Sequence, residues 1–258
     1  MKVVILAGGL GTRLREETEV RPKPMVEIGG RPILWHIMKT YAAFGHHDFI
    51  VCLGYKGDVI RDYFLNYKIR HSDFTVELET GNVEVHSSHD EGSWRVTLVE
   101  TGQNTQTAGR LRRIKKYLDG QPFMATYGDG VASLDLQRLV AFHRASNKLA
   151  TVTAVRPSSR FGELSFSDGV VHSFREKPQV NEGWINGGFF VFEPKILDLI
   201  AGDGEVLETE LLVKLAETRA LAVFKHEGFW QCMDTSRETL LLNDLWAKGQ
   251  APWALWRK

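Results

Sequence analysis

The chain has 258 residues, of which 43% are hydrophobic and 25% are charged, a composition typical of a soluble globular protein with a sizeable core. Lys and Arg number 32 and are balanced by 32 Asp and Glu, whereas a nucleic-acid surface normally brings a cationic excess. Cys52 and Cys232 define no disulfide framework, and no apolar run approaches the roughly 20 residues that span a bilayer. We therefore expect a soluble, cytoplasmic protein with neither nucleic acid nor membrane as a partner.

Short apolar runs alternate with helical patterns along the first part of the chain. The runs predicted to be buried strands are 2–6, 48–54, 122–128 and 149–155. Apolar residues recur at helical spacing in 33–44, 57–67, 110–118 and 136–143. The basic side chains of the third helix, from Arg110 to Lys116, are typical of a solvated helix face. Repeated alternation of strand and helix predicts an open, mostly parallel α/β sheet.

The pattern changes in two regions. Residues 68–93 are polar and predict an extended excursion or a hairpin. Beyond about residue 160 we expect a smaller α+β region that lies on the same sheet. Its predicted strands are 161–166, 170–177 and 186–193, and its predicted helices are 194–201, 208–217 and 236–248. Nothing in the composition marks a linker, so we predict a single domain over 1–258.

A glycine-rich turn follows the first strand, with glycine at Gly8, Gly9 and Gly11. Glycine lets the backbone approach a ligand, and successive N–H groups can then form a concave site for phosphate. The dinucleotide fingerprint needs a third glycine where this chain has Leu14, and no Walker loop is present. The turn is therefore either an ordinary connection between strand and helix or a phosphate site of another type.

Cationic side chains close to this turn favour phosphate. Arg13, Arg21 and Lys23 follow within a few residues, and Pro22 and Pro24 flank the lysine. Proline restricts its own φ and its neighbour's conformation, so Lys23 can be held in one place. A guanidinium forks onto phosphate oxygens and an ammonium acts as a point charge. The sequence therefore predicts a polyphosphate ligand.

Two aspartates are candidates for a metal site. Asp129 follows a predicted buried strand in "YGDG", at the end of the sheet where ligands bind. Carboxylate and phosphate oxygens are the ligands that Mg²⁺ prefers, although Asp-Gly is also a common turn. Asp234 is either a second carboxylate for the same ion or the N-cap of the following helix, and the sequence leaves both open.

These motifs together resemble those of the sugar-1-phosphate nucleotidyltransferases. The matching stretches, in the family's order, are "LAGGLGTRL" (6–14), "RPKP" (21–24), "GDG" (128–130), "EKP" (176–178), "NGGFFVF" (186–192) and Trp230 with Asp234. The resemblance covers most of the chain. It implies a Rossmann-like open mixed sheet and an enzyme that makes activated sugars for bacterial surface polysaccharide such as O-antigen. It also implies a nucleotide-binding core over 1–130, a sugar-binding part over 131–235, and a C-terminal helix and tail over 236–258.

The resemblance implies a role for each matching residue. Arg13, Lys23 and Asp129 would be catalytic, and Asp129 and Asp234 would hold Mg²⁺. The implied nucleotide-binding residues are Leu6, Ala7, Gly8, Gly9, Leu10, Gly11, Thr12, Arg13, Gln103, Ala108, Gly109 and Arg110. The implied sugar-phosphate-binding residues are Lys23, Gly128, Glu176, Lys177, Asn186 and Gly187.

Three further stretches of the sequence bear on which substrates are used. Residues 21–38, 158–164 and 230–238 are most similar to the bacterial branch of the family that uses CTP and glucose 1-phosphate. The segment 102–110, expected to read the base, departs from the common pattern at Gln106. The same reaction with dTTP, UTP or GTP, and a nucleotide-sensing module without catalysis, stay open as alternatives. A nicotinamide oxidoreductase is disfavoured by the missing glycine.

The C-terminal tail bears on assembly. Trp246, Trp253 and Trp256 crowd it, and aromatic side chains are enriched at protein interfaces. They can equally pack on their own domain. Because members of the family commonly assemble, we predict a homo-oligomer.

Overall fold

The computed structural model describes residues 1–11, 14–87, 91–157, 163–167, 170–175 and 183–257. The strands are β1 (Val3–Leu6), β2 (Glu27–Ile28), β3 (Arg31–Pro32), β4 (Asp48–Leu53), β5 (Phe74–Val76), β6 (Val83–Val85), β7 (Arg95–Glu100), β8 (Phe123–Tyr127), β9 (Gly130–Ala132), β10 (Ala150–Val155), β11 (Glu163–Ser167), β12 (Val170–Arg175), β13 (Ile185–Phe192), β14 (Leu221–His226) and β15 (Trp230–Cys232). The helices are α1 (Arg15–Thr18), α2 (Ile33–Ala43), α3 (Gly57–Leu65), α4 (Tyr67–Arg70), α5 (Thr107–Arg113), α6 (Leu136–Ser146), α7 (Leu212–Glu217) and α8 (Ser236–Ala247).

A seven-stranded sheet organises the molecule, in the order β14-β10-β13-β8-β1-β4-β7. β1 pairs in parallel with both β8 and β4, so the carboxyl ends of these strands meet at one edge. β13 runs antiparallel between β8 and β10. The predicted open, mixed and mostly parallel sheet is therefore confirmed, and β13 supplies its antiparallel member.

Apolar residues cover both faces of the sheet. Along β1, Val3 and Ile5 belong to one buried cluster, whereas Val4 and Leu6 belong to the other. The first cluster packs the sheet against α2, α6 and α8, and the second packs it against α5 and α7. A strand buried on both faces reads as a continuous apolar run, which explains why β1, β4, β8 and β10 were predicted from the sequence.

The structure also confirms the hairpin predicted within 68–93, where Phe74 of β5 pairs antiparallel with Val85 of β6. Two strands of the central sheet were missed, β7 and β14, and they are its two edges, and the short strands β2, β3, β9 and β15 outside that sheet were missed as well. Edge strands are partly exposed and mix polar with apolar side chains, which weakens their pattern in the sequence. The sheet takes strands from both 1–130 and 131–235, and the division of the domain into three parts stays a prediction.

The tryptophans of the C-terminal tail pack on their own chain. Trp253 is fully buried, and its Nε1 donates to Nδ1 of His36 in α2 at 3.3 Å. The Trp246 ring lies edge-on to His36 with centroids 4.6 Å apart. Gly29 has φ +59°, and a Cβ there would lie 1.9 Å from the Trp246 ring, so only glycine fits. The tail therefore gives no argument for a homo-oligomer, which stays a prediction.

None of the helices in the described ranges is both long enough and apolar enough to cross a membrane.

Candidate active site

A cavity of about 500 Å³ opens at the carboxyl ends of β1 and β8, where open α/β sheets bind ligands. The start of β13 forms the opposite wall. The predicted site residues that line it are Leu6, Ala7, Gly8, Gly9, Gly11, Lys23, Arg110, Gly128, Asp129, Asn186, Gly187 and Asp234. The fold thus brings most of the predicted residues to one place, although they come from distant parts of the chain.

The glycine-rich turn lines this cavity with Gly8, Gly9 and Gly11. The carbonyl of Gly8 accepts a hydrogen bond from the N–H of Tyr55 at 3.3 Å, which ties the turn to the loop after β4. The N–H groups of residues 8–10 donate to no acceptor in the described ranges. Gly11 has φ +65°, a conformation that favours glycine. Such a run of free donors suits a phosphate group.

Lys23 is held by the local backbone as the flanking prolines predict. It begins a short 3₁₀ turn, Lys23–Met25, and Pro22 before it has φ −68° and ψ 152°. The N–H of Met25 donates to the carbonyl of Pro22 at 2.8 Å. The side chain therefore leaves a rigid segment and points into the cavity.

The Lys23 ammonium joins the two predicted metal ligands. Its Nζ lies 2.5 Å from Oδ2 of Asp129 and also donates to Oδ1 of Asp234. Burial by itself lowers the pKa of Lys23, but the charges and hydrogen bonds of both aspartates outweigh it, so the pKa lies above its usual value of 10.5. The lysine is therefore a permanent cation at neutral pH.

Strand pairing explains why the two carboxylates meet. Asp129 directly precedes β9 and Asp234 closely follows β15, and these strands pair antiparallel with Cys232 opposite Gly130. The N–H of Met233 donates to the carbonyl of Asp129 at 2.8 Å. Residues that are distant in the sequence thereby become neighbours.

The alternative in which Asp234 is a helix cap is excluded. α8 is capped by Thr235, whose hydroxyl accepts from the N–H of Glu238. The Glu238 carboxylate in turn accepts from the N–H groups of Asp234 and Thr235 at 2.7 and 2.9 Å, which completes a capping box. The Asp234 carboxylate is thus directed at Lys23.

The donor set fits a hard divalent cation that arrives with phosphate. Asp129 and Asp234 approach one ammonium from separate elements, so they can face one cation. Across the described ranges no group of three or more His, Cys, Asp or Glu could hold a metal. Mg²⁺ is usually bound by one or two carboxylates together with substrate phosphates, and these two carboxylates are the residues that would hold it.

The Arg110 side chain is buried and hydrogen-bonded within the protein rather than exposed to solvent. Its Nη1 donates to the carbonyl of Leu53 at 2.8 Å and to the Thr101 hydroxyl at 2.7 Å. Its Nη2 donates to the carbonyls of Gly8 at 3.0 Å and Gln103 at 3.4 Å. Burial lowers the pKa of Arg110. The expectation of a solvated face is wrong for this residue, which supports the glycine-rich turn from behind.

Other predicted nucleotide contacts lie away from the cavity lining. The N–H groups of Ala108 and Gly109 donate to the carbonyl of Glu205 at 3.1 and 3.2 Å. The side chains of Gln103 and Leu10 are exposed, and Gln106, Thr105 and Thr107 line the cavity instead. Contacts from these predicted residues to a nucleotide stay predictions. Thr12, Arg13, Glu176 and Lys177 lie outside the residues that the structure describes.

Sequence reasoning missed a polar network in the cavity wall. Tyr127 donates its hydroxyl hydrogen to Oε1 of Glu208 and accepts from Nδ2 of Asn186 at 3.2 Å. Oε2 of Glu208 accepts from the Thr107 hydroxyl at 2.9 Å. Burial raises the pKa of Tyr127 and the Glu208 carboxylate raises it further, so the phenol keeps its proton. Glu208 belongs to no motif, and the only signal in the sequence for this network is the position of Tyr127 directly before "GDG".

Trp230 and Cys232 also line the cavity, from β15. The Trp230 indole donates to the carbonyl of Gly187 at 2.8 Å, which fixes the start of β13. Burial raises the pKa of the Cys232 thiol to about 12, so the side chain stays a neutral thiol.

Residues 2–231 match the family model described as nucleotidyl transferase. The chain belongs to this family. The match to the nucleotidyl transferase family includes the glycine-rich turn, Lys23 and Asp129, and it ends shortly before Asp234.

Relatives within the nucleotidyl transferase family match along the whole chain. Glucose-1-phosphate cytidylyltransferase from Salmonella typhi is 54% identical over 257 residues, which is 99% of this chain and 100% of that protein. A probable glucose-1-phosphate cytidylyltransferase from Bacillus subtilis is 44% identical over 99% of this chain and 100% of its own length.

Solved structures share the fold. HddC from Yersinia pseudotuberculosis is 24% identical with a TM-score of 0.69 and covers 95% of this chain and 99% of its own. A putative glucose-1-phosphate thymidylyltransferase from Bacillus anthracis is 19% identical with a TM-score of 0.69 and covers 95% of this chain and 94% of its own.

Proposed function

We propose that this protein transfers the cytidylyl group of CTP to glucose 1-phosphate and releases pyrophosphate and CDP-glucose. Enzymes of the family act on a nucleoside triphosphate and a sugar 1-phosphate. Relatives matched over their full length carry the names glucose-1-phosphate cytidylyltransferase, at 54% identity, and probable glucose-1-phosphate cytidylyltransferase, at 44% identity. The observation that carries the proposal is the Lys23 ammonium between Asp129 and Asp234, in the cavity that the glycine-rich turn also lines. We also propose a cytoplasmic homo-oligomer whose product serves bacterial surface polysaccharide synthesis.

The reaction is an in-line displacement at phosphorus. An oxygen of glucose 1-phosphate forms a bond to the α-phosphorus of CTP as the bond to pyrophosphate breaks. The second pKa of a phosphate monoester is about 6, so the attacking oxygen is already ionised at neutral pH. No residue has to remove a proton, and positioning and charge supply the catalysis.

The main barrier is repulsion between anions. The Lys23 ammonium is permanently charged and can exchange a carboxylate for phosphate oxygens of the reacting groups. Backbone N–H groups of the glycine-rich turn bind the triphosphate, and Arg13 would hold the leaving pyrophosphate. Donors fixed before reaction stabilise the transition state without reorganisation.

Enzymes of the family generally use a divalent metal, and we propose Mg²⁺ held by Asp129 and Asp234. Mg²⁺ supplies charge neutralisation of the phosphates when bound. Asn186 and Gly187 would contact the sugar, with Glu176 and Lys177.

A nucleotide panel tests the proposal. Purified protein is incubated with glucose 1-phosphate, MgCl₂ and CTP, UTP, dTTP or GTP in turn, and pyrophosphate release and product mass are measured. We expect kcat/KM for CTP to exceed the others by about 100-fold, which corresponds to the loss of two hydrogen bonds of about 1.4 kcal/mol each, and EDTA to stop release. Equal rates with another nucleotide would overturn the choice of CTP, and no release with any of them would overturn the reaction.

A further inference from the structure

A chain of hydrogen bonds crosses the cavity wall from α5 to β13, and Glu208 stands at its centre. The Thr107 hydroxyl accepts from the N–H of Leu207 at 2.8 Å and donates to Oε2 of Glu208 at 2.9 Å. The Tyr127 hydroxyl donates to the other carboxylate oxygen of Glu208. The carboxylate therefore joins the segment expected to read the base to the strand that ends beside Asp129.

The chain continues from Tyr127 into β13. Nδ2 of Asn186 donates to the Tyr127 hydroxyl at 3.2 Å, and Oδ1 of Asn186 accepts from the N–H of Gly188 at 2.8 Å. Gly188 has φ +77°, and a Cβ there would lie 2.4 Å from the Tyr127 ring. The ring and the asparagine are thus held against the same stretch of backbone.

The Glu208 carboxylate and the N–H of Gly188 together decide which way the hydrogen bonds point. An ionised carboxylate only accepts hydrogen bonds, whereas a hydroxyl can donate one and accept others. Tyr127 must therefore donate its single hydrogen to Glu208, and its oxygen is left to accept from Asn186. The N–H of Gly188 can only donate, so it holds the amide oxygen of Asn186, and the amide nitrogen finds its acceptor in the Tyr127 oxygen.

The fixed amide has one hydrogen left over. Each amide nitrogen carries two donors, and the second N–H of Asn186 has no acceptor in the ranges that the structure describes. Asn186 lines the cavity, so this donor is available to an oxygen of a ligand.

Glu208 is rigidly placed for this task. It lies in a single wide helical turn, Leu207–Leu211, directly before α7. Leu207 and Leu211 on either side of it are fully buried. This wide turn is a π-helical turn, and such turns occur often at functional sites.

We propose that Glu208 is a positioning residue for the sugar substrate: through Tyr127 it holds the Asn186 amide so that an N–H donor meets an oxygen of the sugar phosphate. The inference rests on the proposed function, and it assigns to Glu208 and Tyr127 a part in substrate affinity that no motif indicates.

Glu208→Gln tests the proposal with little change in volume. An amide at this position can donate to the Tyr127 oxygen, which turns the tyrosine hydrogen towards Nδ2 of Asn186, so that Asn186 loses this acceptor and its side chain is no longer held in place. We expect KM for glucose 1-phosphate to rise about tenfold, the scale of one lost hydrogen bond, whereas kcat and KM for CTP change less than about threefold. Glu210→Gln is the matched control, since Glu210 lies in the same turn but its carboxylate accepts from the N–H of Val206, and its kinetics should match the wild type.

Tyr127→Phe removes the middle of the chain and carries the test if Glu208→Gln fails to fold. It should raise the same KM, and the double variant should be no worse than either single variant because both act on one interaction. An active wild type with an unchanged KM in both single variants would overturn the inference, and so would additive losses. A wild-type protein that releases no pyrophosphate would instead overturn the proposed function.

Discussion

Two clusters of side chains differ in how far their polar groups are exposed. One is the charged cluster of Lys23, Asp129 and Asp234, and the other is the aromatic cluster of His36, Trp246 and Trp253. The charged side chains are 12%, 29% and 16% exposed and face the cavity. His36 and Trp253 are fully buried and their ring nitrogens are joined by a hydrogen bond. A group that must exchange partners during a reaction needs access to its ligand, whereas a group that keeps its partners can be closed off from water. The first cluster should therefore control activity and the second stability.

The largest effect is expected in the charged cluster. Lys23→Met removes the permanent cation that offsets phosphate charge, and turnover should fall by about 1,000-fold, as for other lost electrostatic contacts to a transition state. The measurement is pyrophosphate release with CTP and glucose 1-phosphate, together with circular dichroism to confirm folding.

Lys2→Met is the matched control for that variant. Lys2 also forms an ion pair, with Nζ 2.6 Å from Oδ2 of Asp119, but it lies outside the cavity lining. Turnover should match the wild type. A folded Lys23→Met protein with full activity would break the contrast between the clusters.

Trp253→Ala should have the reverse outcome. Deleting a fully buried tryptophan side chain costs about 3–5 kcal/mol of unfolding free energy, and here it also leaves Nδ1 of His36 without its donor. Urea unfolding measures this loss, and kcat and KM of the folded protein should stay within about twofold of the wild type because the cluster lies outside the cavity.

Leu240→Ala in α8 is the control for that loss. Leu240 is 71% exposed, and exposed substitutions usually change stability by less than about 0.5 kcal/mol. Should Trp253→Ala leave stability unchanged, or reduce kcat as strongly as Lys23→Met, the assignment of separate roles fails.

The smallest effect is a pH dependence from His36. Burial, as the largest cause, and the charges of Arg257 and Arg31 lower its pKa from 6.5 to about 4, against the hydrogen bond to Ile28, which raises it. Between pH 6.5 and 4 the unfolded chain binds the proton more readily than the folded one, so stability falls as the pH falls. The slope from this group is at most about 1.4 kcal/mol per pH unit. The contribution of neutral His36 to the free energy of unfolding is complete above pH 6.5.

Urea unfolding at pH 7.5, 6.5 and 5.5 measures this slope. His36→Gln has no group that titrates in the window, so its stability should fall less steeply than that of the wild type. Equal slopes for the two proteins would contradict a neutral, buried His36.

Features that leave a local signal in the sequence were predicted, and features without such a signal were missed or left open. The glycine-rich turn, the lysine between prolines and the central strands were predicted, because positive φ, a fixed proline ring and burial on both faces leave local marks. The edge strands β7 and β14 were missed because partial exposure weakens their apolar pattern. The roles of Asp129 and Asp234 were indicated by resemblance, and the sequence left Asp234 open between a metal ligand and a cap.

The sequence by itself determined the family and the order of the main elements, and it predicted a phosphate site at the glycine-rich turn. Only the tertiary structure decided that Asp234 meets Lys23 across 211 residues of sequence, that Thr235 caps α8, that Arg110 is buried, and that Glu208 and Tyr127 lie in the cavity wall. The physical reason is that a backbone constraint acts within a few residues and is therefore visible in the local sequence. A side-chain partner is chosen by strand pairing and packing, which join residues that share no local pattern.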